Sequence, residues 1–204
     1  MRTVSHFGRY LTCCLCLLAV LAGHRSAAAG DTEFVFRTHV DEQGPHHYAV
    51  YVPRSYTRES RWPVVLYLHG AGLSGTDGRR HLHGGLAAVI RSEGDYPAIV
   101  VFPQCENVDA TLLSRWLADS PDGQRAIRIL DDVEREYSVD PSRRVLAGWS
   151  MGGYGAWSLA AAHPDRWSAV VPVSGGGRPE LAAHITAPVW AIHGAGDRAI
   201  PPSQ

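Results

Sequence analysis

Cysteine is nearly absent where it could cross-link the chain. Three of the four, Cys13, Cys14 and Cys16, fall in the first 22 residues, and Cys105 alone stands beyond them. A single thiol closes no internal disulfide, so a disulfide-stapled fold is excluded once that first segment is set aside. Cys105 reads as a buried structural thiol, and no cysteine–histidine spacing suits zinc, so no metal is expected. An excess of charge of one sign is also missing. The 19 basic and 20 acidic side chains leave a net charge of −1, with no basic run to track a phosphate backbone. Composition therefore gives no case for nucleic acid as a partner. Long apolar runs are scarce too. The one that stands out, Leu11–Ala22, is short of the ~20 residues a bilayer span needs.

That run has a different reading. Arg2 and Arg9 precede it, and the small residues Ala27–Ala29 follow it. This is the layout of a secretory signal with cleavage after Ala29. Residues 1–29 are expected to be a signal peptide and 30–204 one domain, secreted or periplasmic, with no stable membrane insertion after cleavage. His24 stands where an acylated cysteine would be needed, which argues against a lipid anchor.

Strand and helix patterns alternate in the remainder. Phe34–Val40 and His47–Pro53 show period-two patterning and predict an antiparallel pair. Pro63–Gly70 and Ala98–Gln104 are solid apolar runs, as in strands buried on both faces. Arg144–Ser150, Ala169–Gly175 and Val189–Gly194 complete the strand set. Asp122–Tyr137 places Ile127, Leu130, Val133 and Tyr137 at helical spacing, with Asp131 and Arg135 positioned for an i,i+4 pair. Met151–His163 is an alanine-rich helix ended by Pro164, and Gly85–Arg91 and Pro179–His184 are shorter ones. The class is α/β, with a mainly parallel central sheet and helices on both faces. Trp157 and Trp167 are expected in the core.

The chemistry concentrates in Val145–Pro164, around Gly148-Trp149-Ser150-Met151-Gly152. A serine between a buried strand and a helix must turn sharply. Side chains two residues before and after it would collide with each other and with the next strand, and the two glycines remove them. Ser150 is therefore the candidate nucleophile. The Met151 backbone N–H is one expected oxyanion donor, and Ala71 or Gly72, in the glycine-rich segment "YLHGAGLSG" after another buried strand, is the second. Asp197, just past the segment Val189–Gly194, is the candidate acid, and the order Ser…Asp…His is the order of one known triad class. His69 is expected to orient the loop rather than act as base, and His193 to shape the Asp197 turn. Trp149 and Trp116 are candidate pocket walls.

Taken together, "VVLYLHGAGLSGTDG", "VVFPQC", "YSVDPSRRVLAGWSMGGYGAWSLAAAHPDRWSAVVPVSGGG" and "PVWAIHGAGDRAIP" resemble the α/β-hydrolase superfamily. More narrowly, they resemble bacterial secreted esterases related to polyhydroxybutyrate depolymerase and feruloyl esterase. The resemblance runs from about Pro63 to Pro201 and implies an α/β-hydrolase fold. It also implies ester hydrolysis through an acyl-enzyme, no cofactor, and a small-molecule or polymer-linked ester as substrate. It carries Ser150 over as nucleophile, Asp197 as acid, and the Met151 and Ala71 amides as oxyanion donors. One departure stands out. The family's catalytic histidine follows the acid, and no histidine follows Asp197 in this sequence. The expectation is a hydrolase domain whose C-terminal part, with its base, is missing. A serine peptidase or amidase on the same scaffold, or a non-catalytic binding protein that retains it, are the alternatives.

Overall fold

The computed structural model describes residues 34–108 and 111–203. The expected signal peptide lies outside the described residues. Six strands form one sheet: β1 (Phe34–Asp41), β2 (Gly44–Tyr51), β3 (Trp62–Leu68), β4 (Ile99–Pro103), β5 (Val139–Trp149) and β6 (Ala169–Val173). Their spatial order is β1-β2-β4-β3-β5-β6. β1 and β2 are joined through Glu42 and Gln43 and run antiparallel in register from Phe34↔Tyr51 to Asp41↔Gly44. β2 meets β4 antiparallel, and β4, β3, β5 and β6 are mutually parallel. Among the described residues the α-helices are α1 (Gly85–Glu93), α2 (Pro121–Glu136) and α3 (Met151–Ala162).

Strand alternation divides the core in two. Val50, Val64, Leu66, Leu68, Ile99, Val101, Leu146 and Val170 face one side and are buried with Ile129, Leu130 and Val133 of α2 and Ala156, Leu159 and Ala160 of α3. Ala49, Tyr51, Val65, Tyr67, Val100 and Phe102 face the other, beneath Ala87 and Ile90 of α1. Helices therefore cover both faces, as the buried apolar runs imply. α2 begins one residue earlier than the pattern suggested. Ser120 caps it, its hydroxyl accepting the Gly123 N–H at 2.9 Å, with Pro121 at the first helical position.

The structure changes three expectations. Val189–Gly194 is not a full strand: it meets β6 through isolated parallel bridges, Val170↔Val189 and Val173↔Ile192, because Pro172 of β6 has no N–H to supply the ladder bond between them. Arg135 pairs with Asp132, one turn position nearer than expected, because Arg166 from the loop after α3 claims Asp131. Trp167 is buried as expected, but Trp157 is only partly so. It lines a surface groove of about 430 Å³ with Tyr154, Leu113, Leu117 and Leu181.

Parallel pairing brings the ends of β3, β5 and β6 to one sheet edge, with Leu68 level with Gly148 and Trp149 level with Val173. Ligands of open α/β sheets bind outside such an edge. His69, Ser150 and Ser174 are the next residues in each case.

Candidate active site

Ser150 occupies the turn from β5 into α3, with φ +56° and ψ −118°. An L-residue holds this left-handed backbone only where its surroundings over-determine it. Here they do. Its N–H donates to the Val173 carbonyl on β6 at 2.8 Å, and its carbonyl accepts the Gly153 N–H at 2.8 Å. The flanking glycines have no substitute. A Cβ on Gly148 would stand 2.0 Å from the Gly152 carbonyl oxygen, and one on Gly152 would stand 1.9 Å from that of Leu68. The Ser150 hydroxyl makes no capping bond to α3. Met151 opens that helix, so its N–H has no partner within it.

The second side of the site is the loop after β3. A Cβ on Gly70 would lie 3.6 Å from Ser150 Cβ, so the loop abuts the serine. Residues Ala71–Leu73 form a short 3-10 turn in which Leu73 N–H bonds Gly70 and Ser74 N–H bonds Ala71. The Ala71 and Gly72 amides precede these bonds, as the first donors of any helical turn do. Ala71 is half-buried and Gly72 exposed.

Buried polar groups brace this loop. His69 Nδ1–H donates to the Gly70 carbonyl at 2.8 Å, and its Nε2 accepts the Cys105 N–H at 3.0 Å. The Gln104 side-chain carbonyl accepts the Gly78 N–H at 2.7 Å, and Gly75 N–H reaches the Cys105 carbonyl at 2.9 Å. Burial pushes His69 down to about 4, so the ring is neutral at physiological pH, and both nitrogens are committed to structure. It orients the loop, as its position suggested, and takes no proton. Cys105 is fully buried beside Asp122, and burial raises its thiol far above the ordinary range.

The two candidate wall tryptophans part company. Trp149 is 44% exposed, and its ring edge would lie 2.9 Å from a Cβ on Gly70. Trp116 is completely buried and so offers no surface to a pocket. Its indole N–H donates to the His69 carbonyl at 3.0 Å and its ring meets the His69 ring edge-on. An isolated tryptophan in a sequence carries no sign of which way it faces.

Asp197 lies in the turn that follows the bridged segment, its side chain 20% exposed. One carboxylate oxygen accepts the Ala199 and Ile200 N–H groups, each at 3.0 Å. The Ile200 bond is the foremost cause holding the carboxyl below its usual range. His193 Nε2–H donates across the same turn to the Ile200 carbonyl at 2.7 Å and stands 3.7 Å from the other Asp197 oxygen. The remaining histidines are placed elsewhere. His163 caps the far end of α3 and His184 closes a short connector helix. His81 is buried, donating to the Phe102 carbonyl at 2.9 Å, and burial pushes it down to about 3. His46 sits between the carboxylates of Asp41 and Glu106.

A strained serine between a strand and a helix, flanked by obligatory glycines and faced by a loop with open amides, is a serine-hydrolase arrangement. The family model named Esterase, described as "Putative esterase", matches residues 43–197. The chain belongs to the Esterase family. Among the family's curated relatives, the bifunctional acetylxylan esterase/xylanase XynS20E of Neocallimastix patriciarum is 29% identical over 153 residues, covering 72% of this chain and 21% of that enzyme. Among solved structures, a thermostable esterase superposes with a TM-score of 0.68 at 26% identity, covering 83% of this chain and 48% of that one. The feruloyl esterase module of Clostridium thermocellum, solved with sinapinate, shares the fold at a TM-score of 0.60 and 18% identity, covering 84% and 73%. The α/β-hydrolase fold expected from sequence is thus the fold of these esterases. The chain spans about a fifth of the acetylxylan esterase/xylanase and about half of the thermostable esterase.

Two contributors escaped the sequence reading. Gln104 had a faint signal, a polar residue ending the run "AIVVFPQ". Ser174 had none: a serine before glycines looks like any turn, yet among the described residues it joins Ser150 as a non-glycine residue with positive φ, at +46°.

Proposed function

We propose that this chain carries the nucleophile, the acid and the oxyanion donors of a serine esterase acting on small-molecule or polymer-linked carboxylic esters outside the cytoplasm. The observation that carries the reading is the left-handed Ser150 between two glycines that tolerate no Cβ, against the Gly70–Gly72 backbone. Membership of the Esterase family and the likeness to an acetylxylan esterase support the ester as the bond cleaved. The apolar leader supports export.

A histidine oriented by Asp197 removes the Ser150 hydroxyl proton as Oγ attacks the ester carbonyl carbon. The carbonyl π electrons move onto oxygen, and that oxyanion accepts hydrogen bonds from the Met151 N–H and from Ala71 or Gly72. The C–O bond to the alcohol then breaks, the alcohol leaves with the proton from the histidine, and water hydrolyses the acyl-serine by the same steps in reverse. Trp149 forms one wall of the acyl or alcohol pocket. His69, His81 and His193 are each spent on backbone carbonyls and do not serve as the base.

The test is hydrolysis of a short-chain nitrophenyl ester, and labelling by a fluorophosphonate. Ser150→Ala is expected to abolish labelling and to lower kcat/KM by about a thousandfold or more. Equal labelling of the alanine variant would remove Ser150 as nucleophile.

A further inference from the structure

Gln104 stands directly after β4, the strand that runs parallel beside β3, and is 2% exposed. A buried side-chain amide must find partners for both of its ends. Here both partners lie on the loop after β3. Oε1 accepts the Gly78 N–H at 2.7 Å, and Nε2–H donates to the Leu73 carbonyl at 3.3 Å. A flipped amide would set donor against donor and acceptor against acceptor, so one orientation alone satisfies the site. The loop runs directly over this group, since a Cβ on Gly75 would stand 3.0 Å from Nε2. Both anchored residues are themselves fixed. Leu73 closes the 3-10 turn Ala71–Leu73, with its N–H on the Gly70 carbonyl. Gly78 holds φ +63° against β2, where a Cβ would stand 2.6 Å from His47 Cβ. One side chain thus clamps the excursion 73–78 at both ends, and its near end is the turn that presents the Ala71 and Gly72 amides.

We propose that Gln104 is a positioning residue for the oxyanion donors: by holding Leu73 and Gly78 it fixes where the Ala71 and Gly72 N–H groups point before any substrate arrives. The proposal rests on the esterase reading, in which those amides receive the oxyanion. Donors fixed in advance need no reorganisation as negative charge develops, which is where their catalytic effect comes from. Gln104 acts through the loop and not on the ester.

Gln104→Met keeps the length of the side chain and removes both bonds. Two readouts are followed. One is hydrogen exchange, by NMR, of the Leu73 and Ser74 amides, whose bonds to Gly70 and Ala71 close the turn. The other is turnover of a short-chain nitrophenyl ester and of its thionoester. Sulfur is a weak acceptor, so the thionoester gains less from the donors, and the ratio of the two rates reports the oxyanion contact. For Gln104→Met, exchange at both amides is expected to quicken by about tenfold or more. On the oxygen ester kcat should fall by about tenfold or more with KM within about twofold, and the oxygen-to-sulfur rate ratio should shrink. Active enzyme is counted by fluorophosphonate titration, so a loss of folded protein does not pass for lost catalysis. Should Gln104→Met fail to fold, Gln104→Asn, one methylene shorter, is read in the same way. Unchanged exchange, or an unchanged rate ratio in an active enzyme, would overturn the proposal. If the amides loosen but the unsubstituted protein neither turns over the ester nor labels, the clamp on the loop stands and the esterase reading fails.

Discussion

The turn at Ser150 shows how little freedom a single position can have. Gly152 carries no side chain because a Cβ would stand 1.9 Å from the Leu68 carbonyl oxygen, a backbone atom that the β3 ladder holds in place. Gly152→Ala is expected to cost about 3 kcal/mol or more, or to shift β3 and the Gly70 loop with it. Chemical denaturation measures this, and a loss under about 1 kcal/mol would show that the turn relaxes cheaply. Gly148 and Gly152 were legible in the sequence because a fixed spacing around a serine carries its own steric logic. Trp116 was not legible. Its full burial depends on α3 and the His69 loop, elements remote in sequence. Ser174 failed for a related reason, since positive φ in a serine has no compositional mark.

At the scale of elements, the alternation of apolar runs predicted the strands and helices because each buries a periodic face, and periodicity is local. Tertiary choices were less visible. Asp131 took Arg166 rather than Arg135, and the segment Val189–Gly194 paired on one side only. Trp190 and Ile192 N–H groups donate to β6, while Val189, Trp190 and Ile192 are 38%, 38% and 42% exposed. An apolar edge with open backbone groups is a template for further pairing. The chain 1–204, expressed by itself, is expected to self-associate as concentration rises, and Ile192→Lys to suppress this. Sedimentation velocity reads the outcome, and a monomer at all concentrations would show the edge to be inert.

For the whole molecule, acid is the natural stress. His69 and His81 are buried neutral, at about 4 and about 3, below the ordinary value of 6.5, with burial the leading cause in each. Below pH 6.5 the unfolded chain binds protons at these rings that the folded chain refuses. Their contribution to stability is therefore complete above pH 6.5 and lost progressively as pH falls toward 4 and 3. The loss is on the order of a few kcal/mol. Asp77, held at about 2 by the Arg80 and Arg79 amides, adds a second loss below its ordinary 3.8. Melting temperature is expected to fall between pH 6.5 and 4. His81→Gln, which keeps a donor for the Phe102 carbonyl, should flatten that slope. A melting temperature constant over this range would mean that the two rings gain protons without unfolding.

Cys105 gives the folded chain a clock of its own. It is the free thiol of the described residues, fully buried and tied to Asp122 behind the Gly70 loop. A disulfide reagent cannot touch it while the loop is closed, and the thiolate that reacts is suppressed until burial ends. The rate at which it colours such a reagent therefore counts how often the floor of the site opens, molecule by molecule, with no substrate present.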